Sequence, residues 1–203
     1  MKNIKYFIIA MLFLGIGSCE YLDYNEEDFY SEKEEIFSDF DRTKYYLSGI
    51  YNRLPDGFNN VGEAMRESAS DNAEEASPVA SIHYFNNGNW SPINTLDAKW
   101  AHYYEGIREA NRFINNVDTT VIEDRKYNDD YGEMREQIRT YKDEARFLRA
   151  YFYFELMKRY GSVPLITEIL SAEQANTVEK DSQDAIIQFI VDECNAIIPD
   201  LRE

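Results

Sequence analysis

The chain has 203 residues, with 38 Asp and Glu against 21 Lys and Arg and a formal net charge of -17. A surface this acidic excludes binding to the phosphates of nucleic acid, which takes clustered Lys and Arg, and disfavours lying flat on an anionic leaflet. The two cysteines, Cys19 and Cys194, are too few for a disulfide framework.

The N-terminus has three parts. Lys2 and Lys5 supply positive charge, Tyr6 to Ile16 is an apolar run of 11 residues, and Gly17-Ser18-Cys19 follows. This order is that of a secretory leader. The run is short of the roughly 20 residues a membrane span needs, and acidic residues follow it at once. Ile16-Gly17-Ser18-Cys19 resembles the bacterial lipobox, in which the Cys thiol is lipidated and cleavage falls just before it. The expectation is a signal peptide over residues 1–18 and a mature domain over residues 19–203 that begins at lipidated Cys19. Several acyl chains on one Cys anchor durably, because each buried CH₂ contributes about 0.8 kcal/mol. Loss of Lys2 and Lys5 with the leader takes the formal charge from -17 to -19.

Residues 20–35 are acidic and rich in Tyr, without a clean period, and read as a tether. The first helix is predicted from Asp39 to Leu54. Phe40, Tyr46 or Leu47, Ile50, Tyr51 and Leu54 recur near helical spacing. Ser38 or Asp39 can cap it, and Pro55-Asp56-Gly57 ends it. Residues 56–95 change character: Gly, Asn, Ser, Asp and Pro surround Phe58, Tyr84, Phe85 and Trp90, and a short helix is expected between Glu63 and Ser70. The embedded aromatics favour long ordered loops over disorder.

A second helix is predicted from Thr95 or Leu96 to Asn116, capped by Thr95 or Asp97, with Trp100, Tyr103, Tyr104, Ile107, Ala110, Ile114 and Val117 on its core face. The third is the longest, from Asp130 to Tyr160. Its core stripe is Met134, Ile138, Tyr141, Ala145, Leu148, Phe152 and Leu156, and Gly161 and Pro164 supply the stop. A fourth spans Ser182 to Ile198, with Ile186, Phe189, Ile190, Cys194, Ile197 and Ile198 apolar and Glu193 out of character on the same face. No strand alternation is visible. The reading is an all-α fold of paired antiparallel helices with tetratricopeptide-like packing, although the 34-residue repeat signature is not seen.

Three stretches carry a family resemblance. Glu144-Ala145-Arg146-Phe147-Leu148-Arg149-Ala150-Tyr151-Phe152-Tyr153-Phe154-Glu155-Leu156 is followed by Tyr160-Gly161-Ser162-Val163-Pro164-Leu165. Trp100, Tyr104, Ile107, Ala110 and Asn111 fall in a W-x-x-x-Y-x-x-I-x-x-A-N pattern, and Asp184 to Leu201 forms a later helix running into Ile198-Pro199. Together they resemble the SusD/RagB family of outer-membrane nutrient-binding lipoproteins, of which this chain covers the N-terminal part of a longer protein. The resemblance implies a SusD-type helical fold and no enzymatic activity. It further implies glycan (oligosaccharide) capture at the cell surface as the lid of a TonB-dependent, SusC-like transporter, with membrane attachment through Cys19. A peptide ligand, or a purely structural lid, is the alternative within that family. No cofactor is implied. The acidic stretch Glu20 to Asp28 is expected to direct export to the cell surface.

The motif itself reads as packing. Ala145 and Ala150 allow close approach, while Arg146 and Arg149 are placed to pair with acids or to cap carbonyls from neighbouring loops. Sugar recognition needs a flat aromatic face and planar polar groups, and loops on a rigid scaffold are the place for them. The candidates are Trp90 first, then Tyr84, Arg66, Asp71, Asn72 and Asn94. Trp90 lies outside any helical stripe; the alternatives are that it packs on the scaffold and that Asp71-Asn72 caps a turn. Trp100, on the stripe, is expected in the core. Adjacent acids such as Glu74-Glu75 and Asp129-Asp130 read as solvated faces rather than catalytic pairs. His83 and His102 lack partners at metal-ligand spacing, and no metal site is expected.

Overall fold

The computed structural model describes residues 36–55, 61 and 64–199. The leader, Cys19, the 20–35 tether and Phe58 lie outside the described residues. Helix α1 is Phe40–Tyr51. Asp39 caps it, accepting from Arg42 N at 2.9 Å and so satisfying one of the first-turn donors. Phe40, Thr43, Leu47 and Ile50 are buried; Tyr51 and Leu54, expected on the same face, are more than a third exposed, and the Tyr51 hydroxyl donates to Glu144 Oε2 at 3.1 Å.

Residues 61 and 64–96 build a second, small core. Val61, Ala64 and Ile82 are buried, with Ala69, Ala80, Phe85 and Leu96 packed on them. The helix expected between Glu63 and Ser70 is a 3-10 turn, Arg66–Ala69. A second 3-10 turn, Ser81–His83, runs into the one-turn helix α2, Tyr84–Asn87. Gly88 then reverses the chain at φ 77, a conformation that glycine adopts without the Cβ clash.

Helix α3 is Trp100–Asn116. Neither Thr95 nor Asp97 caps it. The flanking residue is Lys99, whose N–H donates to Tyr160 Oη at 2.9 Å. Asp97 is held elsewhere: Arg159 Nη2 lies 2.9 Å and Arg66 Nη2 3.4 Å from its Oδ2. After α3, a 3-10 segment, Thr119–Arg125, is capped by Asp118 and buries Val121 and Ile122. Helix α4, Tyr131–Tyr160, has 30 residues, about 45 Å at 1.5 Å per residue. Gly161 (φ 70) ends it, its N–H donating to Met157 O at 2.9 Å. The one-turn helix α5, Ala172–Ala175, opens on a capping box between Ser171 and Gln174. Helix α6, Gln183–Ile197, is capped by Ser182, which accepts from Ala185 N.

The long helices run alternately up and down. Residues at the start of α3 meet the end of α4 (Trp100 with Tyr160, Tyr103 with Phe152), and its far end meets the middle of α4 (Asn111 with Arg149). The α4–α6 pair is antiparallel by the same test: Arg146 meets Glu193 and Tyr153 meets Phe189. Ile138, Ala145, Leu148, Phe152 and Leu156 fill the main core, with Met134 and Tyr141 partly buried against it. Gly106 lets α3 approach α4, because a Cβ there would lie 2.8 Å from Phe152 Cε2. The architecture is all-α, as expected; among the described residues no strand forms, only the isolated bridges Val61–Ala64 and Ser91–Asn94.

Glu193, the charged member of an apolar stripe, has its reason in α4. Arg146 Nη2 lies 3.0 Å and Arg149 Nη2 2.7 Å from its two oxygens. Burial by itself would raise the Glu193 pKa, but the two guanidinium hydrogen bonds outweigh it and hold the carboxyl below its ordinary range. Ile198 is 65 % exposed rather than core, since it follows the last turn of α6.

Between α4 and α6 a strap, residues 162–181, crosses α3 and α4. Side chains fasten it. Tyr104 Oη donates to Pro164 O at 2.8 Å, Tyr153 Oη donates to Ile166 O at 2.9 Å, and Asn111 Nδ2 donates to Ile166 O at 3.0 Å and Glu168 O at 3.3 Å. Arg149 Nη1 donates to Thr167 O at 3.4 Å. Arg149 thus does both things expected of it, pairing with an acid and capping a loop carbonyl.

Candidate functional site

The aromatic loop expected from the sequence is built around α2. Trp90 N–H donates to Tyr84 O at 3.1 Å. Asn94 ties the loop shut: its Nδ2 donates to Asn89 O at 2.9 Å and its N–H donates to Ser91 Oγ at 3.1 Å. The Trp90 indole leans on Phe85, ring centroids 5.7 Å apart, and Phe85 rests on the small core around Ile82. Trp90 is nevertheless 59 % exposed. It does not sink into the scaffold; it is a supported platform with accessible ring surface.

The other candidates distribute differently. Asn86 Nδ2 donates to Ser68 O at 3.2 Å and ties the Trp90 loop to the 3-10 turn that carries Arg66. Arg66 itself points at Asp97, where Arg159 is the closer cation. Asn72 is spent on holding Glu67, with Nδ2 at 2.6 Å from Glu67 Oε1, and its N–H donates to Ser70 Oγ. Ser70 rather than Asp71 therefore makes the turn, and Asp71 is exposed. Tyr84, Trp90 and Asn94 share one loop; Arg66, Asp71 and Asn72 stand on the neighbouring one.

A second concave feature was not foreseen from the sequence. A groove of about 560 Å³ lies between α3 and the strap, inside the ~300–1,000 Å³ range of small-molecule sites. Trp100, expected in the core, stands at its wall and is 40 % exposed. It is the first residue of α3, where the helix stripe runs off the α4 seam. Tyr104 and Tyr160 brace its ring at centroid distances of 4.8 and 5.1 Å. Ile107, Pro164, Ile166 and Val178 give the groove its apolar lining, and Arg108, Glu168 and Lys180 bring charge to it. The one sequence signal was position: an aromatic in the first turn of a helix is less securely buried than one in mid-helix.

The ionised groups serve structure. Glu155 is buried; Arg159 Nη1 lies 2.6 Å from its Oε2, and Lys158 pairs with its other oxygen. Burial opposes its ionisation, yet the Lys158 and Arg159 hydrogen bonds win and keep its pKa low. Burial pushes Tyr103, on the same cluster, up to about 12. His83 Nε2 lies 2.9 Å from Ser77 O and His102 Nε2 2.9 Å from Arg53 O, so both rings tie down loop carbonyls. Among the described residues no cluster of three or more His, Cys, Asp or Glu could hold a metal, and no helix is long and apolar enough to cross a membrane.

Comparison with known proteins gives one consistent result. The SusD-like family described as starch-binding and associating with the outer membrane matches residues 20–197. A curated SusD-like protein, P38 of Formosa agariphila, is 24% identical over 170 residues, covering 82% of this chain and 31% of its own. A crystal structure of a SusD-like protein from Bacteroides fragilis superposes with a TM-score of 0.63 at 29% identity, over 79% of this chain and 29% of that one. A SusD-like carbohydrate-binding protein from the same species gives 0.60 at 26% identity, over 83% and 33%. The chain thus spans about a third of the length of these relatives.

Proposed function

This chain belongs to the SusD-like family of outer-membrane-associated proteins, and from that premise we propose that it is the N-terminal domain of a longer glycan-capturing protein. The observation that carries this reading is Trp90, half-exposed on an ordered loop and backed by Phe85. Its ring offers the flat apolar surface on which the C–H face of a pyranose stacks. Tyr84 beside it and the exposed Asp71 on the neighbouring turn offer a hydroxyl and a carboxylate, while Asn94, Asn72 and Arg66, engaged with Asn89, Glu67 and Asp97, shape the loops that carry them. The reading assigns capture, not catalysis. Titration calorimetry of the chain against soluble starch fragments, other oligosaccharides and peptides tests it. Sugar binding that weakens in Trp90→Ala supports it; binding of peptides alone, or sugar binding indifferent to Trp90, overturns it.

The same reading makes Cys19 the lipid-bearing residue of a surface protein and a TonB-dependent transporter its partner. The family's association with the outer membrane supports this. Cys19→Ala should release the protein from membranes, and native purification should bring a barrel protein with it. Protease shaving of intact cells that leaves the protein whole would count against surface display directed by Glu20 to Asp28.

A further inference from the structure

Resting on the glycan reading, we infer that the groove between α3 and the strap is a second glycan subsite, with Trp100 as its platform. Trp100 presents accessible ring surface in an orientation fixed by two neighbours: Tyr160 stands edge-on at 80° and Tyr104 is tilted at 46°. Tyr104 is itself held in place by the bond from its hydroxyl to Pro164 O. The platform is therefore rigid without a ligand, which lowers the ordering cost of binding.

The choice of sugar over peptide follows from the strap. An extended peptide binds such an edge by pairing with free backbone groups. Here those groups are taken: Pro164, Ile166, Thr167 and Glu168 carbonyls accept from Tyr104, Tyr153, Asn111 and Arg149. The N–H of Leu165 donates to Asp181 and that of Ile166 to Tyr153. Over residues 164–166, beside Tyr104, no ladder is on offer. What the groove does offer is an aromatic face and the exposed Arg108, Lys180 and Glu168 around it, a donor and acceptor set suited to vicinal hydroxyls. Glu168 and Lys180 lie on the strap and Arg108 on α3, so both walls of the groove carry charge.

The chain contains two tryptophans, Trp90 and Trp100, which makes the two platforms separable by fluorescence. In Trp90→Phe the emission belongs to Trp100 alone; in Trp100→Phe it belongs to Trp90. Each variant is titrated with maltoheptaose and with a β-1,3-gluco-oligosaccharide at millimolar concentration, and checked for native circular dichroism. The expected result is a saturable shift of Trp100 emission with at least one of the sugars, its Kd raised about fivefold by Lys180→Ala or Arg108→Ala, as for loss of one hydrogen bond of about 1 kcal/mol. A silent Trp100 beside a responding Trp90 overturns the second subsite and leaves glycan capture intact. A responding Trp100 beside a silent Trp90 supports the groove as a glycan site and overturns the reading that rests on Trp90. Silence of both, or a Trp100 response to an apolar peptide and not to sugars, overturns the groove as a glycan site.

Discussion

Arg149 Nη1 donates to Asn111 Oδ1 at 2.7 Å, and this bond orients the Asn111 amide so that its nitrogen meets the strap. Both residues are buried, at 6% and 0% exposure. The two family motifs, one on α3 and one on α4, thus meet in a joint that fastens a third segment.

Asn111→Asp keeps the shape and removes the donor. The carbonyls of Ile166 and Glu168 lose their shared partner, and a carboxylate faces them. Ile166 O keeps Tyr153 as a donor, and a loss of about 1–3 kcal/mol is expected, the range for unsatisfied buried polar groups. Urea denaturation measures it, and limited proteolysis should cut first between residues 165 and 181.

Gly106→Ala adds a methyl 2.8 Å from Phe152 Cε2 and 3.1 Å from Arg53 Cδ. Helix propensity favours the change by about 1 kcal/mol, but Phe152 is fully buried and overpacking costs about 1–3 kcal/mol. A lower Tm is expected, and Gly106→Val should be worse than Gly106→Ala. An unchanged Tm in both would show that the α3–α4 seam yields freely.

Glu193 and Glu155 ionise more readily in the folded chain than in the unfolded one. A depressed carboxyl contributes stability above its unfolded pKa, near 4.5, and loses it as pH falls through the folded value. Stability should therefore decline on acidification below about pH 4.5. Glu193→Gln should be less stable at pH 7 and show a shallower acid limb. Chemical denaturation across pH tests both.

Tyr103 and Tyr51 behave in the opposite sense. Burial, followed by nearby Glu155 and Glu144 respectively, raises each phenol to about 12. A raised pKa contributes stability below the unfolded value near 10 and loses it as pH rises through 12. Absorbance titration of phenolate should show late-titrating tyrosines whose release coincides with alkaline unfolding, and Tyr103→Phe should remove one of them.

Trp90→Ala separates binding from folding. Trp90 is more than half exposed and leans on the small core through Phe85, so a stability change within about 1 kcal/mol is expected. Glycan affinity should fall by more than that. A large drop in Tm would make Trp90 a packing residue instead.

The long helices were readable because their apolar spacing and their stops, Gly161 above all, are local. The ends were less so. Asp97 has the composition of a cap, yet two guanidiniums far along the chain, on Arg66 and Arg159, claim its carboxylate, and that competition is tertiary. Trp100 follows the stripe in sequence but stands where α4 has run out. Glu193 looked misplaced until α4 supplied its arginines. In the loops, the exposure of Trp90 was legible from its isolation from any helical period. Nothing local marks residues 162–181 as a fastened strap, since its carbonyls are held by side chains of α3 and α4.

The strap has one more consequence. It leaves the helices and returns at a single point, where Asp181 Oδ2 accepts from Leu165 N at 2.7 Å and Asp181 N–H donates to Val163 O at 3.1 Å. Ile166, Thr167 and Glu168 are held to α3 and α4, and residues 169–180 are thus an excursion with stapled ends. Lengthening, shortening or replacing its far part, where α5 sits, leaves the placement of α6 on α4 untouched. One wall of the Trp100 groove can therefore vary in size and composition independently of the helical frame, which gives evolution, or a designer grafting a new loop, a variable module on an invariant chassis.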